Sequence, residues 1–285
     1  MKPIVVARLV LIFLPVCIFY YIVLPPIAVV AWAVSRILLR CARPATAVPL
    51  WLETPWDTLT TGALALFCPR VVDADGENSM VLPAIDDVRC AVLSNHRSWG
   101  DFFIDPVMGH CAVVSRIAAA AVTLAAGLVG LASDKIIVIN RGVDSRQTIA
   151  DKCERYQRFL IFPEGTRRAA QPNADEPVVL KPGGLKNLYE ARRPALISIT
   201  VNKEALVNEA TGTIGLGVTL YRARSGLIDP ADYEQFDAFL EAVQLTWNDC
   251  WHRAYALRAK GEGGGLAGQL KTAVRKPDGN GTSLW

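Results

Sequence analysis

Val88-Arg89-Cys90-Ala91-Val92-Leu93 reads as a short apolar strand, and it breaks into the polar block Ser94-Asn95-His96-Arg97-Ser98-Trp99-Gly100-Asp101 before helical spacing resumes over Phe102–Met108. The same succession recurs downstream. Lys135–Asn140, Phe159–Phe162, Ala195–Val201 and Ile214–Tyr221 carry the apolar, β-branched runs of strands, while Ser145–Tyr156, Gly184–Ala191 and Asp232–Arg258 space their apolar residues as helices. Strands alternating with helices predict an α/β domain, a mixed sheet flanked by helices, over residues 86–260. Ile117–Leu131 is Ala-rich and apolar, which predicts a buried or membrane-facing helix of that domain rather than a further span.

Upstream of the domain the composition changes. Leu9 to Val34 contains no charged residue, with Lys2 and Arg8 before it and Arg36, Arg40 and Arg43 after it. One straight helix of that length would reach about 39 Å, more than a hydrocarbon core of about 30 Å requires. Pro15 and the Pro25-Pro26 pair interrupt it and predict a bend. Residues 1–43 are therefore expected to form an N-terminal membrane-embedded helical segment, either a single kinked span or a re-entrant helix pair. Basic residues on both flanks suit the second picture with both ends in the cytosol. A cleaved signal peptide fits less well, because the run is too long and basic residues follow it directly. Residues 44–85 read as a connector and the Gly-rich residues 261–285 as a flexible tail.

The chain has 285 residues, 52% of them hydrophobic, with 30 basic and 27 acidic side chains. So apolar a composition excludes general disorder, and so small a charge excess gives no basis for nucleic-acid binding. Seven cysteines without C-x-x-C spacing read as small buried hydrophobes in a reducing compartment, not as a zinc site or disulfide framework.

Two blocks carry chemistry. His96 is one of three histidines in the chain and follows a strand, where α/β folds place their sites. Five helical steps would rotate Asp101 well away from it, so the two can meet only if His96 lies in the turn and Asp101 in the first helical turn. A carboxylate on one imidazole nitrogen would fix the tautomer and leave the other nitrogen as a general base. The second block is Phe162-Pro163-Glu164-Gly165-Thr166-Arg167-Arg168, also after a strand. Pro163 and Gly165 predict a sharp turn, Glu164 can hold an arginine or a main-chain group, and the arginines can grip a phosphate. Asn140-Arg141 brings a further cation to a strand end, and the three strand ends are expected to converge on one edge of the sheet.

Together, Asn95-His96-Arg97-Ser98-Trp99-Gly100-Asp101 and Phe162-Pro163-Glu164-Gly165-Thr166-Arg167 resemble the two signature blocks of the glycerolipid acyltransferase family, most nearly the 1-acylglycerol-3-phosphate O-acyltransferases (lysophosphatidate acyltransferases). Arg141, Arg116 and Lys181-Pro182-Gly183 resemble further basic positions of that family. Pro194-Ala195-Leu196-Ile197-Ser198-Ile199 matches its last block without the second proline, a departure that bears on the shape of the acyl or acceptor pocket. The resemblance covers about residues 86–205. It implies transfer of a fatty acyl group from acyl-CoA, a co-substrate, to the sn-2 hydroxyl of lysophosphatidic acid, giving phosphatidic acid.

In that reading His96 and Asp101 are catalytic, and Arg141, Glu164, Gly165, Thr166, Arg167 and Lys181 bind substrate. Backbone amides near Gly165 are the expected oxyanion donors. No cofactor and no metal are implied. The partners are acyl-CoA, a lysophospholipid acceptor and the lipid bilayer, with the site on the cytosolic side of an endoplasmic reticulum or bacterial inner membrane. Acyl transfer to another acceptor, such as glycerol-3-phosphate or a larger-headgroup lysophospholipid, and a non-catalytic lipid-binding role are the alternatives.

Overall fold

A computed structural model of the chain describes residues 7–8, 11, 14–42, 53–68, 70–74, 76, 88–98, 100–118, 124–140, 143–166, 177–208, 211 and 213–263. A seven-stranded sheet organises them. Its strands are β1 (Arg70–Asp73), β2 (Cys90–Ser94), β3 (Ala112–Ser115), β4 (Ile136–Val138), β5 (Arg158–Ile161), β6 (Ala195–Val201) and β9 (Thr219–Ile228), in the order β1-β9-β6-β2-β5-β3-β4. The five from β6 to β4 are parallel, β9 is antiparallel to β6, and β1 runs parallel to β9. The sheet is thus mixed and dominated by parallel pairs, as the alternation of strands and helices predicts. The short helix α8 (Lys203–Leu206) follows β6, and a small hairpin, β7 (Val207–Asn208) with β8 (Thr213–Ile214), stands apart from the main sheet.

Both faces of the sheet are covered, which is why its central strands are apolar without alternation. On one face lie α6 (Arg146–Glu154), α7 (Pro182–Glu190) and α9 (Phe236–Gly263). They pack on Ala91, Leu93, Phe159, Ile197 and Ile199. From α9, Phe239, Val243, Trp247, Cys250, Trp251 and Ala254 recur at three- and four-residue steps and are all fully buried. Truncating either tryptophan to alanine would cost about 3–5 kcal/mol. The opposite face of the sheet receives α2 (Leu24–Ala42), α3 (Pro55–Phe67) and α5 (Leu124–Ala132), with α4 (Asp101–Gly109) beside them. There Ala28, Trp56, Leu59, Phe103 and Ala126 close over Cys90, Val92, Val113 and Leu160.

Residues 44–85, read as a connector, contribute α3 and β1. The local reason for α3 is a capping box: the Asp57 amide donates to Thr54 Oγ1 and the Thr54 amide to Asp57 Oδ2, both at 3.2 Å, with Pro55 in the first turn. Strand β1 is four residues long and pairs with β9, far along the chain, so no local periodicity announces it. The predicted strand Ile214–Tyr221 is split, since β8 ends at Ile214 and β9 starts at Thr219, with Gly217 at φ +67° between them. Of the predicted helix Ile117–Leu131, residues 119–123 lie outside the described residues and α5 forms its second half.

At the front, α1 (Leu14–Ile18) leads through a π-helical turn, Phe19–Val23, into α2. The wider turn falls just before Pro25-Pro26, where two backbone donors are missing, and takes the place of the predicted bend. Among the described residues no helix is long and apolar enough to cross a membrane, so a single span through residues 1–43 finds no support there. Ile27, Val30, Val34 and Leu38 of α2 are nevertheless exposed, while Ala28 packs inward. Apart from residues 261–263, which complete α9, the tail lies outside the described residues.

Candidate active site

Three adjacent parallel strands, β6, β2 and β5, end side by side, and their ends carry Asn202-Lys203, Asn95-His96 and Pro163-Glu164. Asn95 ties two of them together. Its amide donates to the Thr200 carbonyl at 2.8 Å, and its side-chain oxygen accepts the Thr200 N–H at 2.9 Å. The next residue, His96, leaves the sheet in the turn, and α4 begins at Asp101. The chain folds back there, and His96 Nδ1 lies 2.8 Å from Asp101 Oδ2. Asp101 is fully buried, whereas 12% of the His96 side chain is exposed.

The Asp101 carboxylate is heavily bonded. Oδ2 also accepts the backbone N–H groups of Arg97 and, at 3.0 Å, Ser98, while Oδ1 accepts the Ser98 hydroxyl at 3.2 Å and faces Lys203 Nζ at 3.6 Å. Burial pushes this carboxyl up, but the Lys203 ammonium and the bond to His96 outweigh it and hold the group at about 2. The imidazole is stacked on Phe162, with ring centroids 4.2 Å apart, and meets the edge of Phe102 at 5.6 Å. A bonded Nδ1 and two aromatic walls fix the ring and leave Nε2 to act.

Glu164 is buried and faces inward. Its carboxylate accepts the His96 backbone N–H at 3.2 Å and the Arg97 guanidinium at 2.7 Å. Arg97 in turn donates to the His96 carbonyl at 2.8 Å and lies 5.0 Å above the Trp251 ring. Glu164 therefore holds both an arginine and a main-chain group, and the pair clamps the peptide units on either side of the His96 ring. Gly165 has φ +74°, and a Cβ there would meet Lys181 Cδ at 2.5 Å. The Gly165 amide donates to the Phe162 carbonyl at 3.0 Å, so it is occupied within the turn and is not free to bind an oxyanion.

His96, Gly165, Thr166 and Lys181 share the wall of a cavity of about 880 Å³. It lies between α6 and α7 on the α9 side of the sheet, and Ile149, Cys153, Phe159, Ile161 and Leu188 make it mostly apolar. Arg116, Arg146 and Lys181 bring positive charge to it. Burial raises Cys153 to about 11, so its thiol is an inert part of that wall. Arg141 and Arg167 lie outside the described residues, as does Arg168. The residue that the sequence reading missed is Lys203, fully buried beneath the His96–Asp101 pair. A lysine after a strand carries the signal of an ordinary surface charge.

No protein-family model matches the chain, and no curated protein sequence matches it. Its structure is similar to the crystal structure of the 1-acyl-sn-glycerophosphate (LPA) acyltransferase, PlsC, from Thermotoga maritima, with a TM-score of 0.54 and 16% sequence identity over 82% of this chain and 94% of that one. The chain shares the fold of that acyltransferase.

Proposed function

We propose that the chain is a bilayer-attached O-acyltransferase that moves a fatty acyl group from acyl-CoA to the sn-2 hydroxyl of lysophosphatidic acid. The observation that carries this reading is the His96–Asp101 pair, with Nδ1 bonded to a buried carboxylate at 2.8 Å, set in the wall of an apolar cavity of about 880 Å³ that also bears basic side chains. The fold shared with an LPA acyltransferase supports it.

In this mechanism Nε2 of His96 takes the proton of the acceptor hydroxyl as its oxygen attacks the thioester carbonyl. Asp101 stabilises the imidazolium that forms. Collapse of the tetrahedral intermediate breaks the C–S bond, and the departing thiolate receives the proton from the imidazolium. The acceptor oxygen is itself the nucleophile, so no acyl-enzyme forms. Lys181 and Arg116, with Arg141 and Arg167, bind the acceptor phosphate, and the apolar cavity takes a hydrocarbon chain. The exposed apolar side of α2 attaches the protein to the bilayer in which acceptor and product reside.

The test is acyl transfer by the purified full-length chain in detergent, supplied with acyl-CoA and a panel of glycerol-3-phosphate, lysophosphatidate and larger-headgroup lysolipids, with products identified by mass spectrometry. Phosphatidate formed from lysophosphatidate and abolished in His96→Ala is expected. Product from another acceptor alone would move the substrate assignment, and none from any acceptor would overturn the reading.

A further inference from the structure

Lys203 is a fully buried charge with no part in the proton transfer. It follows β6, where Asn202 turns the chain at φ +75° and donates its side-chain amide to the Thr219 carbonyl at 2.8 Å. Its side chain is fully buried, and its ammonium has three partners: the Asn95 carbonyl, Asp105 Oδ2 at 2.8 Å and Asp101 Oδ1 at 3.6 Å. It therefore touches the residue before the base and the carboxylate behind the base at once. An uncompensated ammonium in so dry a place would be strongly disfavoured, so its position is set by the negative charge it meets.

We propose that Lys203 is a positioning residue for His96, a buried counter-ion on the far oxygen of Asp101 that tempers the pull of that carboxylate on the imidazolium. The idea rests on the acyltransferase reading for its purpose, though not for its test. A carboxylate bonded to imidazole stabilises the protonated ring, and a buried one that nothing opposes raises the ring's hold on the proton further. The Lys203 charge lies on the far oxygen of that carboxylate and opposes this. Burial outweighs the ammonium beside it and raises the Asp105 carboxyl to about 7, so near neutral pH Asp105 offsets the Lys203 charge only in part.

Glu164, at the His96 amide, is paired with Arg97, and Glu204, beside Lys203, is paired with Arg258 of α9 at 3.2 Å. The Cys111 thiol faces Asp105 and is held neutral, mainly by burial. Arg116, Arg146 and Lys181 share the cavity wall with His96 and keep their charge in every variant compared.

The experiment follows His96 protonation by NMR in the full-length chain labelled at histidine, where only three histidines occur and His96→Ala supplies the assignment. Asp105→Asn serves as the reference, because it removes the second carboxylate and keeps the lysine. Two neutral replacements of the pair, K203Q/D105N and K203M/D105L, are compared with it, and either one that folds decides. The His96 midpoint is expected to rise by about half a pH unit or more when the ammonium is removed. It should stay with the reference in K203R/D105N, which keeps the charge. An unchanged midpoint in a folded neutral variant would reduce Lys203 to a structural strut and overturn the proposal. The readout is independent of turnover, so absence of acyl transfer in the wild type would sink the functional reading while leaving the answer on Lys203 intact. If transfer is present, the acid limb of kcat/KM should move upward with the midpoint.

Discussion

His96 Nδ1 and Asp101 Oδ2 are 2.8 Å apart, although five residues of helix would have turned them away from each other. The contact exists because the helix starts at Asp101 and His96 precedes it, so the carboxylate reaches backward and also accepts the amides of Arg97 and Ser98. Replacing His96 by alanine should lower acyl transfer by about 10²- to 10⁴-fold with unchanged folding. Asp101→Asn should be similarly impaired, since an amide can hold the ring in the wrong tautomer. Turnover of His96→Ala above half the wild-type rate would remove the base from the mechanism.

The Glu164–Arg97 pair makes a different prediction from a substrate contact. Glu164→Gln leaves the Arg97 guanidinium buried without its counter-charge and weakens the hold on the His96 amide. Stability should fall by about 3 kcal/mol in denaturant titration. The kinetic loss should appear in kcat and not in the acceptor KM. A rise confined to acceptor KM would show instead that Glu164 meets the substrate.

At Gly165 a side chain is opposed twice over, by φ +74° and by the aliphatic part of Lys181, which a Cβ would meet at 2.5 Å. Gly165→Ala should cost about 1–2 kcal/mol from the backbone alone. It should also push the Lys181 side chain aside and raise the acceptor KM. Unchanged melting temperature and KM together would mean that the turn relaxes freely.

Asp105 gives a pH dependence with a definite sign. Its folded value of about 7 lies above that of an exposed aspartate, about 3.9, because burial outweighs the neighbouring ammonium. Between these values the folded chain holds a proton that the unfolded chain has released, so this group's contribution to stability falls as pH rises from about 4 to 7, by at most about 1.4 kcal/mol per unit. Asp105→Asn removes that slope. Denaturation of wild type and variant across this range should show their stability difference shifting in favour of the variant as pH rises. A constant difference would contradict the burial argument.

What the sequence made legible follows the range of the interaction. The strand–turn–helix at Leu93–Asp101 could be read because each part is local: an apolar run, a polar break and a helix start. The turn at Pro163–Gly165 was legible for the same reason. The partnership of Glu164 with Arg97 depends on β2 and β5 being neighbours, and the burial of Lys203 on β6 lying on the other side of β2. Strand order is a property of the whole sheet, and no spacing within one segment encodes it. Thr54-Pro55-Trp56-Asp57 did carry a local helix signal, but the surrounding Pro and Thr gave the segment the look of a connector.

The front of the chain offers the last test. Ile27, Val30, Val34 and Leu38 recur at steps of three and four along α2, and all are exposed while Ala28 faces the domain. Full burial of such a side chain is worth about 1.5–3 kcal/mol, so four of them in a bilayer would supply far more than the 1.4 kcal/mol that each tenfold in partitioning requires. Changing all four to glutamine keeps good helix formers and leaves the inward side of α2 intact. Sedimentation with vesicles should fall at least about tenfold. Activity on vesicle-embedded lysolipid should fall with it, while activity on a short-chain, water-soluble lysophosphatidate should persist, because His96 and Asp101 lie at the carboxyl end of the central strand β2 and not on α2. Equal loss on both substrates would mean that this stripe supports the fold or the site. Undiminished vesicle binding would place the membrane contact elsewhere, with the exposed Ile117 and Leu128 the next positions to change.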